Sequence, residues 1–355
     1  MEITITKTTT PKTKPLVKGL PFGKEFSDHM FLMDYDAGIG WHDARVVPYG
    51  PISLDLGAVV FHYGQEIFEG MKAYRTAEGK IQMFRPIENI RRMNNSAERM
   101  CIPTVPEEDF MEALKTLITV EQDWVPGEEG TSLYIRPMII ATQSMLGVHA
   151  SSKYLFAIIC CVVDKYYKEG LNPVKIMVEN HDVRAVRGGT GFAKCGANYA
   201  ISLRASEVAA KKGFSQVLWL DGVHQKYVEE VGAMNVMFKI NGKIVTPDLS
   251  SGSILPGVTR KSCVELLKSW GLEVEERLLS IDELIEAAES GILEEAWGTG
   301  TAAVISPIGQ LFYNDKGYTI AGNQIGPVSQ KLYDTLTGIQ WGTAPDPFGW
   351  VEPVC

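Results

Sequence analysis

The chain has 355 residues, of which 45% are hydrophobic and 22% are charged, a composition typical of a folded globular protein. Its length favours two domains over one. The formal net charge of -9 argues against a nucleic-acid surface, which needs a basic footprint, and no apolar run approaches the roughly 20 residues of a membrane-spanning helix.

Residues 1–18 are rich in threonine, lysine and proline, and we predict that they form a loosely ordered arm. They contain neither the apolar core of a secretory signal nor an arginine, which a mitochondrial transit peptide would carry. The six cysteines of the chain form no CxxC pair, which indicates free thiols in a reducing compartment. These features predict a cytoplasmic protein.

Residues 19–165 are predicted to form a small α+β domain. Pro86 should begin a helix that continues to about Met100, because proline suits the first turn of a helix. The other elements predicted here are a strand at 80–84, a helix at 106–120, and two paired strands at 132–142 and 154–163.

Residues 166–178 are predicted to connect the domains, and residues 179–355 to form a larger α+β domain. Asn241-Gly242 predicts a hairpin turn, and Ser280 with Glu283 predicts a capping box at a helix start. The predicted elements are strands at 174–178, 216–221, 229–240 and 243–246, helices at 198–212, 258–270 and 281–290, and a strand at 296–308 that is interrupted at 298–300.

A glycine-rich turn at residues 188–199 contains Lys194, with Tyr199 shortly after it. Glycine allows backbone conformations and close approaches that other residues avoid, so a lysine in such a turn is positioned. A neutral lysine amine can form a Schiff base with a carbonyl compound, and pyridoxal phosphate is the commonest cofactor of this kind. Considered alone, the turn could equally carry an ordinary exposed lysine.

Three other segments could bind a phosphate group. Residues 256–260 form a glycine turn that enters a helix, where free N–H groups favour an anion. Residues 298–302 offer small side chains and hydroxyls, and Arg91-Arg92 could bind phosphate through a guanidinium. The alternatives are an ordinary helix start, a β-bulge and a solvated pair of charges.

An acidic pair, Glu229-Glu230, precedes small and apolar residues in a predicted strand. A carboxylate there could hold the proton of a pyridinium ring. Because successive strand residues face opposite sides, we expect one of the two to point into a site and the other into solvent.

With these segments in order, the chain resembles the branched-chain amino acid aminotransferases, which are pyridoxal-phosphate enzymes of fold type IV in the class IV aminotransferase family. The resemblance implies an α+β fold of two mixed domains, of the D-amino-acid-aminotransferase-like architecture. The segments that carry it are residues 68–74, 89–93, 133–137, 188–199, 230–235, 255–260 and 298–302.

The resemblance implies a role for each matched residue at the cofactor. Lys194 should bond the cofactor and move a proton, Tyr199 should contact its ring hydroxyl, and Glu230 should pair with its pyridine nitrogen. The residues implied for the phosphate are Arg92, Val258, Thr259 and Thr299, with Arg91 as the solvated member of the arginine pair.

The resemblance also implies the substrate residues. Tyr134 and Arg136 match the strand that faces the substrate, and the N–H groups at Thr301 and Ala302 should receive the α-carboxylate. The apolar wall is implied to consist of Phe68, Tyr63 and Tyr166, and Val148 to lie on a loop that crosses the interface of a homodimer.

The implied reaction is the reversible, ping-pong transamination of L-leucine, L-isoleucine and L-valine with 2-oxoglutarate, which yields branched-chain 2-oxo acids and L-glutamate without a metal. Three alternatives stay open: a D-amino-acid aminotransferase, an aminodeoxychorismate lyase of the same fold, and a non-catalytic scaffold dimer. The joint presence of Lys194, Glu230, Tyr199 and Arg92 argues against a scaffold, and Tyr134, Arg136, Thr301 and Ala302 favour the branched-chain substrates.

Overall fold

The structure is a computed structural model that describes residues 1–164 and 171–355. Helices and strands are mixed along the chain, which confirms the predicted α+β class. The described residues form two compact units. Unit 1 comprises residues 1–164, 193–196 and 338–355, and unit 2 comprises residues 171–192 and 197–337.

The elements are numbered in chain order. The strands are β1 (Thr4–Ile5), β2 (His29–Asp36), β3 (Gly40–Pro48), β4 (Glu66–Phe68), β5 (Met71–Arg75), β6 (Ile81–Phe84), β7 (Ser132–Ala141), β8 (Lys153–Val163), β9 (Val174–Glu179), β10 (Gln216–Leu220), β11 (Val228–Val231), β12 (Met234–Ile240), β13 (Lys243–Thr246), β14 (Val274–Glu276), β15 (Leu293–Gly300), β16 (Val304–Tyr313), β17 (Lys316–Thr319) and β18 (Val351–Pro353). The α-helices are α1 (Val59–Tyr63), α2 (Pro86–Arg99), α3 (Glu107–Val120), α4 (Ala197–Ala200), α5 (Leu203–Lys211), α6 (Val258–Ser269), α7 (Ile281–Glu289) and α8 (Pro327–Trp341). Among the described residues, no helix is both long and apolar enough to cross a bilayer.

Unit 1 is built on one sheet, with the strand order β1-β3-β2-β8-β7-β5-β6-β18 and with β4 also paired to β7. Alternation along β7 sends Leu133, Ile135 and Ile139 into the apolar core. The residues between them, Tyr134 and Arg136, therefore face the other side of the sheet. This alternation is what presents a polar pair on an otherwise apolar strand.

An interruption in this sheet separates β4 from β5. Both strands pair with β7, at Phe68–Met138 and Met71–Ile135, and Glu69-Gly70 lies opposite the Arg136-Pro137 step. Proline has no N–H to donate to a ladder, so regular pairing stops at Pro137. The backbone N–H of Glu69 instead donates to the carbonyl of Pro137 at 2.8 Å.

Unit 2 contains a sheet that closes on itself. The order is β11-β10-β9-β16-β15-β12-β13-β14, and an additional β11–β12 pairing joins the first strand to the sixth. The enclosed side chains are apolar, among them Ile176, Leu218, Val236 and Phe238. The ring brings the ends of β11, β12 and β15 together, and these strands carry the acidic pair and the Thr299 turn.

Several predicted elements are confirmed. The helices after Pro86 and Pro106 and the paired strands β7 and β8 lie where predicted. The Asn241-Gly242 hairpin forms with positive φ at both residues, as a tight two-residue turn requires. The Ser280 hydroxyl accepts the N–H of Glu283 at 3.1 Å, which confirms the N-cap of α7.

Three elements differ from the predictions. The strand predicted at 229–240 is two antiparallel strands, because Gly232 adopts φ 56° and turns the chain. The interruption predicted at 298–300 lies later, since β15 continues to Gly300 and the turn occupies 301–303. The helix predicted at 198–212 consists of the separate helices α4 and α5.

The two units also differ from the predicted domain boundaries. The segment 1–18 contains β1, which pairs with β3 and is therefore not simply a loose arm. Residues 193–196 and 338–355 belong to unit 1, although we predicted them in the second domain. The reason is long-range pairing: β18 adds to the edge of the first sheet beside β6, which a local sequence pattern does not reveal.

Candidate active site

The backbone around Lys194 is fixed by three hydrogen bonds within unit 1. The N–H of Lys194 donates to the Ser96 hydroxyl at 2.9 Å, and its carbonyl accepts the N–H of Phe68 at 2.9 Å. The N–H of Gly196 donates to a carboxylate oxygen of Glu66. The lysine is therefore positioned by its backbone, as the glycine-rich turn predicts.

The side chain of Lys194 lies in a partly buried, cationic environment. Its Nζ is 4.8 Å from the centroid of the Phe68 ring. Desolvation, followed by the positive charge of Arg92, lowers the pKa of Lys194 to about 8, although Glu69 and Tyr134 act in the opposite direction. A lowered pKa makes the neutral, nucleophilic amine accessible near physiological pH.

Arg92 lies on α2 and is buried together with a carboxylate that sequence reasoning did not single out. Its Nε donates to Oε1 of Glu69 at 2.8 Å and its NH2 donates to Oε2 at 2.9 Å. This two-bond geometry orients the guanidinium plane. The neighbouring Arg91 is exposed and pairs with Glu107 at 3.2 Å, so the arginine pair divides as predicted.

Three of the predicted substrate residues lie together in unit 1. The NH2 of Arg136 donates to the Tyr134 hydroxyl at 3.0 Å, and the Arg136 guanidinium lies 4.7 Å from the centroid of the Phe68 ring. Phe22 packs edge-on against Tyr134 with 4.9 Å between the ring centroids. Phe68 contacts both Arg136 and Lys194, so aromatic, cationic and nucleophilic groups adjoin one another here.

The other predicted unit 1 residues are at the surface. Tyr63, on α1, is 42% exposed, and Val148, in the loop after β7, is 88% exposed. Both side chains are therefore open to solvent in the single chain. Tyr166 lies outside the described residues.

In unit 2, Glu230 on β11 is buried and well supplied with donors. Its Oε1 accepts the N–H of Leu255 at 2.8 Å and the side-chain amide of Asn235 at 3.4 Å. Its Oε2 forms an ion pair with Nε of Arg184 at 3.4 Å. Donors and a cation favour the ionised carboxylate, the form that could hold a proton on a ring nitrogen.

Glu229 does not point into solvent, and that prediction is wrong. Its side chain is buried and accepts the Ser253 hydroxyl. Burial raises the pKa of Glu229, while Ser253 and Arg184 act against this rise. Both carboxylates accept hydrogen bonds from the same segment, Glu229 from Ser253 and Glu230 from Leu255, so neither is left to solvent.

Asn235 lies next to both the start of α6 and strand β15, which carries Thr299. Asn235 pairs with Thr299 across β12 and β15, and a Cβ on Gly257 would stand 2.0 Å from Oδ1 of Asn235. Only glycine fits there, so α6 begins against β12. No side chain among the described residues caps α6 at its Gly257 N-cap, and Val258 and Thr259 form its first turn.

The remaining predicted residues of unit 2 lie on a turn and a short helix. Thr301 and Ala302 are partly buried in the turn between β15 and β16. Tyr199 is partly buried on α4. All three residues belong to the same unit as Glu230.

These residues suit a phosphorylated pyridine aldehyde. Thr299 Oγ1 is buried without a hydrogen-bond partner in the described part of the chain, and it lies close to an uncapped helix start that favours an anion. Glu230 supplies an ionised acceptor, and Lys194 supplies an amine of lowered pKa. Each unit therefore supplies side chains of the kinds that pyridoxal phosphate needs.

Sequence reasoning missed Glu69, Asn235 and Arg184. Glu69 directly follows Phe68 in a β-rich segment, yet no local pattern separates a buried, paired carboxylate from a solvated one. The sequence showed Asn235 only as the last residue of the segment that begins with Glu229-Glu230, which assigns it no role. Arg184 lies far from Glu230 in sequence. Their roles depend on contacts that only folding creates.

Comparison with known proteins identifies the family. The amino-transferase class IV family matches residues 66–311. The branched-chain-amino-acid aminotransferase 2 of Bacillus subtilis is 56% identical over 99% of this chain and 97% of its own length.

Two solved structures of branched-chain amino acid aminotransferases are also similar. The Escherichia coli enzyme has a TM-score of 0.74 and 26% identity over 92% of this chain and 99% of its own. The Thermobaculum terrenum enzyme, in its PLP form, shares the fold with a TM-score of 0.74 and 24% identity over 94% of this chain and 100% of its own. The chain therefore belongs to the branched-chain aminotransferases of the class IV family and is a pyridoxal-phosphate-dependent transaminase.

Proposed function

We propose that this enzyme transfers the amino group of L-leucine, L-isoleucine or L-valine to 2-oxoglutarate, reversibly and in ping-pong fashion. The observation that carries the proposal is the Lys194 amine, whose pKa is lowered to about 8 beside the apolar ring of Phe68 and the Arg136 guanidinium. The similarity to branched-chain aminotransferases over nearly the whole chain supports the substrate class.

The cofactor roles follow from the chemistry of each side chain. When bound, pyridoxal phosphate supplies an electron-withdrawing ring that acidifies the Cα–H bond of an amino acid. Lys194 would hold the cofactor and, as a general base, would move the proton between Cα of the amino acid and the cofactor. Glu230, which accepts hydrogen bonds from Leu255 and Asn235, would hold the proton on the ring nitrogen, and Tyr199 would bind the ring hydroxyl. The residues that would bind the phosphate are Arg92, Val258, Thr259 and Thr299, as the resemblance implies.

The substrate roles separate the polar end of the amino acid from its apolar branch. The turn at Thr301 and Ala302 would receive the α-carboxylate, and Phe68 and Tyr63 would contact the branch. Arg136, held by Tyr134 at 3.0 Å, is positioned to attract the second carboxylate of glutamate or 2-oxoglutarate. An apolar wall separates substrates that differ by one methylene by only about 1–3 kcal/mol, so all three branched substrates should react.

A homodimer is part of the proposal. Apolar side chains are exposed just before α1, on α1 and on the 143–149 loop of unit 1, namely Leu56, Phe61, Tyr63, Met145, Leu146 and Val148. The loop and the start of α1 are joined by the Ala58–Ser144 bridge and by the hydrogen bond from Met145 to Gly57. An apolar patch of this kind suits a second copy of the chain. A cytoplasmic location stays a prediction from the sequence.

The test is an absorbance titration of the purified holoenzyme with L-leucine, run beside D-alanine. The visible absorbance of the bound cofactor should fall with L-leucine and stay constant with D-alanine, since the proposed enzyme acts on the L-amino acid. A response to D-alanine alone would assign the enzyme to D-amino acids. A protein with no visible absorbance after addition of pyridoxal phosphate would refute the proposed function.

A further inference from the structure

Glu69 is a fully buried carboxylate in the short segment between β4 and β5, with 0% of its surface exposed. Besides the two bonds from Arg92, its Oε2 accepts the amide of Asn89 at 2.9 Å and the N–H of Gly70 at 3.1 Å. A buried charge is tolerated only when it is paired and its lone pairs are satisfied. Four donors meet that requirement, so Glu69 is held in one orientation.

The location of Glu69 ties it to Lys194 as well as to Arg92. The preceding residue, Phe68, donates its N–H to the carbonyl of Lys194 at 2.9 Å. On the other side, Ser96 accepts the N–H of Lys194 at 2.9 Å and donates to the carbonyl of Arg92 at 2.9 Å. One connected set of hydrogen bonds therefore links the carboxylate, the guanidinium and the backbone of the lysine.

The charges in this set act on one another. Desolvation alone would raise the pKa of Glu69, but Arg92, Lys194 and Asn89 hold it below its ordinary value, so the side chain is ionised. In turn, the Glu69 charge raises the pKa of Lys194, against the lowering by desolvation and by Arg92. Glu69 is thus a negative charge close enough to influence the lysine amine.

We propose that Glu69 is a positioning residue for transamination. It acts through Arg92, whose guanidinium it orients with two parallel hydrogen bonds, and through Lys194, beside whose amine it places a negative charge. This inference rests on the proposed function, in which Lys194 holds the cofactor and Arg92 binds its phosphate. As a consequence of both contacts, the Lys194 amine has an intermediate basicity. It is not permanently cationic, and it is still basic enough to accept a proton from Cα.

The test is a pH titration of the holoenzyme carrying Glu69→Gln, followed by the visible absorbance of the bound cofactor. The substitution keeps the size of the side chain and removes its charge. Without the carboxylate, the protonated form of the Lys194 nitrogen loses the negative charge that favours it. The midpoint of the absorbance transition should therefore move to lower pH, by about one unit.

Glu107→Gln is the matched control. It removes an exposed carboxylate that pairs with Arg91, the residue next to Arg92 on α2. Its midpoint should equal that of the wild type. If Glu69→Gln lowers the melting temperature but leaves the midpoint unchanged, Glu69 has only a structural role and the inference is overturned. If the wild type itself shows no visible absorbance with pyridoxal phosphate, the proposed function fails instead.

A second comparison covers the case in which Glu69→Gln does not fold. The double variant Glu69→Gln/Arg92→Gln replaces the buried ion pair by two neutral amides, so it avoids the uncompensated buried charge that makes breaking such a pair costly. Compared with Arg92→Gln alone, it differs only in the Glu69 charge. The midpoint should again be lower in the double variant, and equal midpoints would overturn the inference.

Discussion

The Tyr134 hydroxyl occupies the space that a side chain on Gly70 would need. A Cβ built on Gly70 would stand 2.1 Å from the phenolic oxygen, and that oxygen accepts a hydrogen bond from Arg136. Residue 70 is therefore a glycine for a local reason: it lets the β4–β5 segment pass beneath a hydroxyl that organises the arginine.

Gly70→Ala should displace Tyr134 and weaken its bond to Arg136. We expect the free energy of unfolding to fall by about 1–3 kcal/mol, as for other insertions into packed sites. The kcat/KM for L-leucine should fall about tenfold, the loss expected when one hydrogen bond is broken. Thermal melts and steady-state kinetics measure both effects. Gly50→Ala is the control, since no atom lies within 4 Å of a Cβ at that position. Equal effects of the two substitutions would contradict this explanation.

Lys194→Ala should abolish transamination and leave the protein folded. The three hydrogen bonds that fix its segment come from backbone atoms of Lys194 and Gly196, so they do not depend on the amine. The half-reaction with L-leucine measures activity, and circular dichroism measures folding. The exposed Lys211→Ala serves as a control and should retain activity. Turnover near the wild-type rate in Lys194→Ala would remove this residue from its proposed role.

Glu230→Gln should retain the cofactor but lower turnover by about 100-fold or more, the range seen when one group that stabilises developing charge is lost. A neutral amide cannot pair with the proton on the ring nitrogen. Cofactor content from absorbance and kcat for L-leucine test this together. The adjacent Glu229→Gln is matched in burial and strand position, and its kcat should stay within a few-fold of the wild type. An unchanged rate in Glu230→Gln would exclude Glu230 as the partner of the ring nitrogen.

The amine of Lys194 should react at lower pH than an ordinary lysine. Competitive labelling of the cofactor-free protein with trace acetic anhydride, read by mass spectrometry, gives the fraction of neutral amine at each pH. Because the pKa of Lys194 is lowered to about 8, its labelling should reach a plateau above about pH 9. A lysine peptide in the same tube, with a pKa of about 10.4, should continue to gain label beyond that point. Parallel curves for the two amines would contradict the lowered pKa.

Val148→Asp should weaken the proposed homodimer, because a charge would enter an apolar contact without a partner. We expect the dissociation constant to rise at least about tenfold in sedimentation experiments, a change of about 1.4 kcal/mol. Leu16→Asp is a close control, since Leu16 is 89% exposed and Val148 is 88% exposed. If both variants sediment as the wild type does, the loop does not form the interface.

Local sequence patterns were sufficient for much of the secondary structure. Pro86 at the first position of α2, the Asn241-Gly242 turn and the Ser280 cap each act within a few residues, so their effects are visible without the fold. The predicted boundaries of strands and domains were wrong where segments that are distant in sequence pair with one another. Gly232 turns the chain because β11 and β12 form a hairpin within a closed ring, and β18 joins unit 1 because an edge of that sheet accepts it.

The sequence by itself indicated the family and its class of chemistry, and it singled out Lys194 as the candidate lysine, because an amine in a glycine-rich turn and an acidic strand are properties of residue type and spacing. Only the tertiary structure decided which charges neutralise one another. Glu69 and Arg92 are 23 residues apart in sequence and share two hydrogen bonds, and Arg184 meets Glu230 across an even longer separation. Electrostatic interactions depend on distance in space and on burial, and both quantities exist only after the chain has folded.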